Sequence, residues 1–419
     1  MSVNKDLFLY DLAVGAILKN EGRYLKEWLD YHLLAGVEHF YLYNNDSTDN
    51  YNEIIAPYVE AGLVTSKYFP GNVMQFAAYL EAVQDYRFHC RYIAFIDLDE
   101  FIFPKNTTGT IIETADKILS SDPEASGLGI HWQCFGSNGQ EKADYSSGVL
   151  ERFTRRAKKD FNDKVKKEEN VDYKIGNVFL KSILNPRRIK GVNIHYPYYF
   201  NENYTINENG SKLPTAFGVY PVATEKIVVN HYIVKSREEF NLKHKRGRAD
   251  INDKWPVEFF YDYDRNDEFD DGILKYRAAR EKIFSLKSDT QRISRVIETL
   301  IKTLSQYAAE EISDLETALT CWALSAYLLK KFPNEERFKV FEEASLAAIL
   351  KSLDGLKLSE VQLLMDELPN LLILPYPIVE ELRDVSIQIT SQMMNLTREK
   401  TLWKDFLEWN YLHRLLKSL

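Results

Sequence analysis

Residues 1–100 alternate apolar runs of strand length with segments of helical period, and that alternation restricts the chain to few folds. The runs are Leu12–Leu18 (LAVGAIL), Glu38–Tyr43 (EHFYLY), Leu63–Phe69 and Tyr92–Ile96 (YIAFI). Within Glu21–Gly36, Leu25, Trp28, Leu29, His32 and Leu33 recur at helical spacing, which marks one buried face. Ser47, Thr48 and Asp49 offer N-caps ahead of Ile54, Ile55, Tyr58 and Val59, and 73–88 is again helix-like. Strands alternating with helices imply βαβ units, hence a mostly parallel sheet with helices on both faces.

A sheet of this kind binds ligands at the carboxyl ends of its strands. The first strand ends in Lys19-Asn20-Glu21, the second in Asn44-Asn45-Asp46-Ser47-Thr48-Asp49 and the fourth in Asp97-Leu98-Asp99-Glu100. A sheet needs none of these polar groups for stability, so a clustered site is the economical explanation. Asp97 and Asp99 are the sharpest signal. In regular strand geometry they point the same way, since side chains repeat every two residues. Two close carboxylates repel, and holding both ionised calls for a cation. Mg²⁺ or Mn²⁺ suits, because hard divalent ions take oxygen ligands and leave positions for phosphate.

Further along, 127–139 (GLGIHWQCFGSNG) reads as a strand and a Gly-rich loop, and Arg152–Lys167 is strongly basic. Val178–Ile183, Val192–His195 and Lys226–Tyr232 read as short strands. Ser236 followed by Glu239 is a capping-box signature for a helix to Arg246. From about Ile283 glycine becomes rare and helical periodicity runs to the C-terminus. The expected organisation is an α/β domain over 1–282 and a helical domain over 283–419. The apolar residues between Leu402 and Leu416 there read as a helix face that docks on the protein or on a membrane surface.

Four stretches together carry a resemblance: 16–50, Ile93–Pro104 (IAFIDLDEFIFP), 131–139 (HWQCFGSNG) and 230–250 (NHYIVKSREEFNLKHKRGRAD). In this order they resemble the nucleotide-sugar half of a GT-A-fold glycosyltransferase, of the family-2-like type and its relatives in glycosyltransferase family 92. The resemblance spans about Leu12 to Asp250. It implies a Rossmann-like sheet and a metal-dependent, inverting transfer of a hexosyl unit from a nucleotide-sugar. A UDP-sugar is the first donor to consider, with a saccharide or lipid-linked acceptor in surface-polysaccharide assembly.

The resemblance also assigns roles. Asp99 matches the direct metal ligand, Asp97 the residue nearer the ribose, and His231 the histidine that completes metal binding. Lys19, Asn20, Glu21 and Arg23 lie where the family places base and ribose, and the Asn44–Asp49 loop, with Asn45, matches the segment that contacts the base, Asp46 or Asp49 being its hydrogen-bond acceptor. Lys235, Lys243, Lys245, Arg246 and Arg248 would close over the diphosphate. Inversion needs a base beside the acceptor, with Asp144, Glu141 and Glu151 as candidates; spacing does not choose among them. Glu100 is either a partner of these groups or an exposed acid, and His195 is a weaker rival to His231.

Composition narrows the alternatives. With 53 basic and 62 acidic residues the chain is mildly acidic, which argues against bulk nucleic-acid binding. Three scattered cysteines support neither a zinc knuckle nor a disulfide framework and fit a reducing compartment. No apolar stretch reaches membrane-span length, so the expectation is a cytoplasmic enzyme, peripheral at most on the inner face of a membrane. The basic run could attract a phosphorylated acceptor or an anionic lipid surface, or be a solvated loop. Two other readings stand beside the transferase. One is a phosphohydrolase using an Asp-x-Asp nucleophile, although Glu100-Phe101 follows where Thr or Gly is usual. The other is an inert scaffold with a partner-binding helical domain.

Overall fold

The computed structural model describes residues 3–105, 109–166, 172–200, 203–216, 218–276, 289–309, 311–312 and 314–352, with scattered positions from 360 to 367. The chain divides into two compact units. The larger comprises Phe8–Tyr199 and Asn203–Ile293; the smaller comprises Met1–Leu7, Phe200–Glu202 and Ser294–Leu419. The expected boundary near 283 falls outside the described residues, as do Leu402–Leu416.

The larger unit opens with β1 (Tyr10–Leu18), α1 (Gly22–Leu34), β2 (His39–Asn44), α2 (Tyr51–Glu60), β3 (Val64–Tyr68), α3 (Gln75–Tyr86), β4 (Cys90–Phe95) and β5 (Glu100–Pro104). It continues through α4 (Ile111–Leu119), β6 (Gly127–Cys134), α5 (Val149–Arg152), β7 (Arg155–Arg156), β8 (Asn162–Lys166), β9 (Asp172–Gly176) and β10 (Leu180–Leu184). Then come β11 (Ile189–Val192), β12 (Pro197–Tyr199), β13 (Thr205–Ile206), β14 (Ile227–His231), α6 (Arg237–Arg246), α7 (Glu258–Tyr263) and β15 (Glu268–Phe269).

Eight strands of the main sheet run in the order β3-β2-β1-β4-β10-β6-β14-β5, and β13 adds beside β6. The α/β expectation is met: β1 pairs in parallel with both β2 and β4. The predicted helix face is buried, with Leu25, Trp28 and Leu29 at 0% exposure. In α2, Ile55 and Tyr58 of the expected face are buried, but Val59 is exposed. The sheet stops being purely parallel at β10, which is antiparallel to both β4 and β6, and at β5, antiparallel to β14. Trp28 donates its indole N–H to the Glu100 carbonyl at 2.9 Å and so ties α1 to the start of β5. Downstream, β11 covers 189–192 rather than the expected 192–195, and Asn193 closes a turn by donating to the Tyr196 carbonyl at 2.8 Å.

In the smaller unit, α9 (Leu315–Lys331) packs against α10 (Arg337–Lys351); α8 (Asp289–Ala308) precedes them and begins within the residues of the larger unit. Asp314 caps α9 by accepting from the Thr317 N–H at 2.9 Å, as a short acid at an N-cap should.

Close packing of β6 on β10 generates a test. A Cβ added to Gly127 would lie 2.4 Å from the Ile183 carbonyl oxygen, a backbone atom with little freedom to retreat. Gly127→Ala should lower unfolding free energy by roughly 1–3 kcal/mol in a denaturant titration. An unchanged midpoint would mean that β10 can shift aside.

Candidate active site

The acids do not leave the sheet on a regular strand. β4 ends at Phe95, and Asp97–Glu100 form a turn in which the Glu100 N–H donates to the Asp97 carbonyl at 3.0 Å. The expectation of side chains repeating every second residue is therefore corrected. The turn sends the two aspartates to different partners. Asp97 accepts from Gln75 Nε2 at 2.8 Å, Tyr79 OH at 3.2 Å and Lys181 Nζ at 3.1 Å. Asp99 accepts from Lys243 Nζ at 2.7 Å through Oδ2 and faces His231 Nε2 at 3.5 Å through Oδ1.

Glu100 is fully buried, so the exposed-acid alternative falls. Its Oε2 accepts from the Asp97 N–H at 2.8 Å and lies 3.2 Å from Lys181 Nζ. Among the described residues its Oε1 has no hydrogen-bond partner and lies 3.8 Å from His231 Nδ1, which also lacks one. Burial pushes the Glu100 carboxyl up, Lys181 opposes, and the Asp97 and Asp99 charges add to the rise. At Asp99 burial is outweighed by Lys243, His231 and Lys235, which hold the carboxylate well below its ordinary range. His231 ends β14, and burial lowers its basicity against the pull of Asp99. Trp132 packs on its ring at 4.2 Å. His195 bonds the Leu180 carbonyl at 3.2 Å, and burial drops its pKa to about 3.

Lys235 is the odd cation. It is 6% exposed, its backbone is left-handed at φ 55°, and its ammonium sits 4.7 Å from the Tyr24 ring centre. Among the described residues no hydrogen-bond partner takes that ammonium, and burial lowers its pKa. The Tyr24 ring and the more distant Asp99, Glu21 and Glu239 carboxylates are what its charge meets.

The helix that follows is locked in place. Ser236 and Glu239 form the expected capping box of α6. Glu239 also receives a two-pronged bond from Arg152 at 2.8 and 2.9 Å and one from Tyr24 OH at 3.0 Å. Arg246 pairs with Glu21 at 2.5 Å, and Arg248 with Asp250 at the same distance. Part of the basic run is therefore committed to ion pairs. Arg152 serves Glu239, Arg156 pairs with Glu268 and Asp270, and Lys159 pairs with Glu225.

The strand-end loops bond chiefly to each other. Asn20 and Asp46 both adopt positive φ, 54° and 61°. The Asn20 N–H donates to Ser47 Oγ at 3.0 Å, and Asn20 Oδ1 accepts from the Thr48 N–H at 2.7 Å. Asn45 Nδ2 donates to the Phe69 and Gly71 carbonyls, and Asp46 accepts from Tyr68 OH at 3.1 Å. Asp49 accepts from the Gly22 N–H at 2.7 Å; a Cβ at Gly22 would come within 2.9 Å of that carboxylate. Lys19 is half-buried beside this joint. Arg23 donates to Tyr145 OH at 2.5 Å, which draws the loop holding Asp144 toward α1. Asp144 is exposed, accepts from the Ser146 N–H at 2.9 Å, and its loop is pinned to α6 by the Ala143 N–H on Glu238. Glu151 lines a different cleft, with Glu27, Tyr31, Leu34 and Tyr276 around it and no member of the acid turn.

A divalent cation fits one pair of these atoms. Two adjacent ligands of an octahedral ion, each at about 2.1 Å, stand about 3 Å apart. Asp99 Oδ1 and His231 Nε2, at 3.5 Å, are close to that spacing and offer oxygen and imidazole donors. Among the described residues no cluster of three His, Cys, Asp or Glu side chains is placed to complete the shell from protein alone.

Sequence reasoning missed Lys181, Gln75 and Tyr79. Lys181 had a signal, a lone lysine inside an apolar strand (LKSIL); Gln75 and Tyr79 had none beyond helical spacing.

Fold and site together define an α/β protein that gathers acids and lysines at the carboxyl edge of its sheet. The profile described as "Glycosyltransferase family 92" matches residues 18–275, and the chain belongs to that family. It is similar to a glycosyltransferase family 92 protein of Ricinus communis, 26% identical over 251 residues, covering 59% of this chain and 40% of that protein. A second such protein, from Oryza sativa subsp. japonica, is 29% identical over 147 residues, 35% of this chain and 24% of that protein. The chain thus spans about two fifths or less of the length of these relatives. Among solved structures it is similar to S. aureus TarS 1-349, with TM-score 0.29 and 11% identity over 97% of this chain and 91% of that one. The TarS complex with UDP gives TM-score 0.30 and 12% identity over 84% and 89%. Overlaps that loose carry no conclusion about this site.

The Glu239 lock generates a pH prediction. Burial works against its charge, yet Arg152 and Ser236 hold the Glu239 carboxyl down at about 2. A carboxyl lowered on folding stabilises fully above its unfolded pKa and loses that contribution as pH falls through the folded value. Acid unfolding should therefore steepen between about pH 4.5 and 2. Glu239→Gln should flatten that limb and cost about 3 kcal/mol at neutral pH, by stranding Arg152. An unchanged acid limb would show that the pair contributes nothing to it.

Proposed function

We propose that this chain is a metal-dependent, inverting glycosyltransferase that moves a hexosyl unit from a nucleotide-sugar, first of all a UDP-sugar, to a saccharide or lipid-linked acceptor. The observation that carries the reading is the buried Lys235 ammonium, which has no hydrogen-bond partner among the described residues and is drawn electrostatically to Asp99 of the Asp99–His231 pair. Cation and metal-binding pair together suit a diphosphate better than any neutral ligand. The proposed setting is polysaccharide assembly at the cytoplasmic face of a membrane. Among the described residues no helix is long and apolar enough to cross a membrane.

In this reading Asp99 and His231 hold Mn²⁺ or Mg²⁺, whose chemistry is to offset charge on the departing diphosphate. Lys235 donates to a phosphate oxygen, and Lys243 keeps Asp99 ionised and aimed. Asp97, fixed by Gln75, Tyr79 and Lys181, accepts from a ribose hydroxyl. The joint of Asn20 with 46–48, flanked by Lys19, Glu21 and Arg23, forms the floor for the base, with Asn45 bracing it. Arg246, anchored on Glu21, closes the far side. Asp144 takes the proton from the acceptor hydroxyl. Its exposure and its tether to α6 support it over Glu151, whose cleft is lined by none of Asp97, Asp99 or Glu100. An α/β domain over about 1–282 followed by a helical domain is the organisation proposed with this function.

A panel of nucleotide-sugars with Mn²⁺ or Mg²⁺ tests this through slow donor hydrolysis, which needs no acceptor. EDTA should abolish turnover and Mn²⁺ restore it. Asp99→Ala should cut turnover about 10²–10³-fold without a change in melting temperature. Lys235→Met should raise KM about tenfold. Full turnover in Asp99→Ala would remove Asp99 from the chemistry.

A further inference from the structure

An exposed aromatic strip joins the start of α3 to β12. Phe76 is 48% and Tyr198 40% exposed, and their rings meet edge to face at 6.0 Å and 86°. Tyr196 extends the strip, with its ring 5.6 Å from that of Tyr198 at 71°. Such rings come from two elements far apart in sequence, α3 and the strand β12 with its preceding turn. Nothing in the hydrophobic effect favours leaving them in water together, since each would bury well in the core.

Their chain neighbours join the strip to the site. Phe76 follows Gln75, whose amide lies 2.8 Å from Asp97. Tyr196 follows His195, whose ring lies 5.2 Å from Trp132, and Trp132 in turn packs on His231. The chain neighbours of the strip, Gln75 and His195, thus reach Asp97 directly and His231 by way of Trp132. Its residues bring rings and phenol hydroxyls and no cation, unlike α6, where Lys243 and Arg246 face acids.

We propose that Phe76, Tyr196 and Tyr198 receive a pyranose ring of the acceptor, which makes the acceptor a saccharide at the point of contact. The proposal rests on the glycosyltransferase reading and deepens it. One face of a pyranose presents C–H groups of slight positive charge, and aromatic faces are negative, so the two stack. The Tyr196 and Tyr198 hydroxyls, which bond each other, keep further lone pairs to accept from the ring's equatorial hydroxyls. Rings set at 86° and 71° give separate faces rather than one continuous groove, which suits a sugar over an acyl chain. A donor sugar would arrive with its diphosphate on the cation side; the strip, open to solvent, suits a chain that extends outward.

Saturation-transfer NMR with octyl β-D-glucopyranoside and octyl β-D-galactopyranoside tests it, because each probe carries both a sugar and an alkyl chain. The full-length protein should transfer saturation chiefly to ring protons of at least one probe. The double variant Phe76→Ala, Tyr198→Ala should weaken that transfer about fivefold. Its melting temperature and its calorimetric affinity for UDP with Mn²⁺ should not change. Equal ring saturation in the variant, saturation confined to the alkyl chain, or none with either probe would each overturn the proposal. If UDP with Mn²⁺ fails to bind the native protein while ring saturation still depends on Phe76 and Tyr198, the donor reading falls and the saccharide surface stands.

Discussion

Three carboxylates within four residues must be held at the edge of a buried sheet, and the structure depends on how that charge is met. Lys181 meets two of them from one position, at 3.1 Å from Asp97 and 3.2 Å from Glu100. Lys243 meets the third. Buried acids without such partners would cost several kcal/mol each. The antiparallel entry of β10 between β4 and β6 follows from this need. It brings the start of that strand, with Lys181, up against the acid turn, where a parallel strand of the same sequence would carry it the other way.

The second constraint is the placement of α6. A helix bearing Lys243 and Arg246 positions charge only as well as it is itself held. The capping box fixes its first turn, and the Arg152–Glu239 pair fastens that turn to α5. Tyr24 reaches the same carboxylate from α1. One buried glutamate thus sets the distance between the strand-end loops and the cationic helix. The aromatic strip stands outside this network and touches it only through neighbours along the chain.

Much of the fold was legible because its signals are local. The four apolar runs became β1 to β4 within a residue or two, and the Ser236 capping box appeared as read. The family resemblance, drawn from four motifs, met a profile match over 18–275. What failed was non-local. Asp97 and Asp99 looked like one strand's alternate positions, but the backbone turns there to start β5, and Glu100, read as a possible surface acid, is buried. The partners of Arg152 and Arg156 in the basic run, Glu239, Glu268 and Asp270, were hidden because they lie about a hundred residues away. Lys181 was passed over for the same reason: nothing near it in sequence tells which carboxylates it answers.

The counter-charges of the acid turn also arrive late along the chain. As the protein emerges from the ribosome, Asp97, Asp99 and Glu100 are made long before Lys181, and longer still before Lys243. Until those lysines appear, dehydrating the turn is uphill, so the early βαβ half waits with that edge wet while its apolar strands pair. Vectorial synthesis therefore imposes an order in which the ligand-facing rim is the last part of the sheet to close.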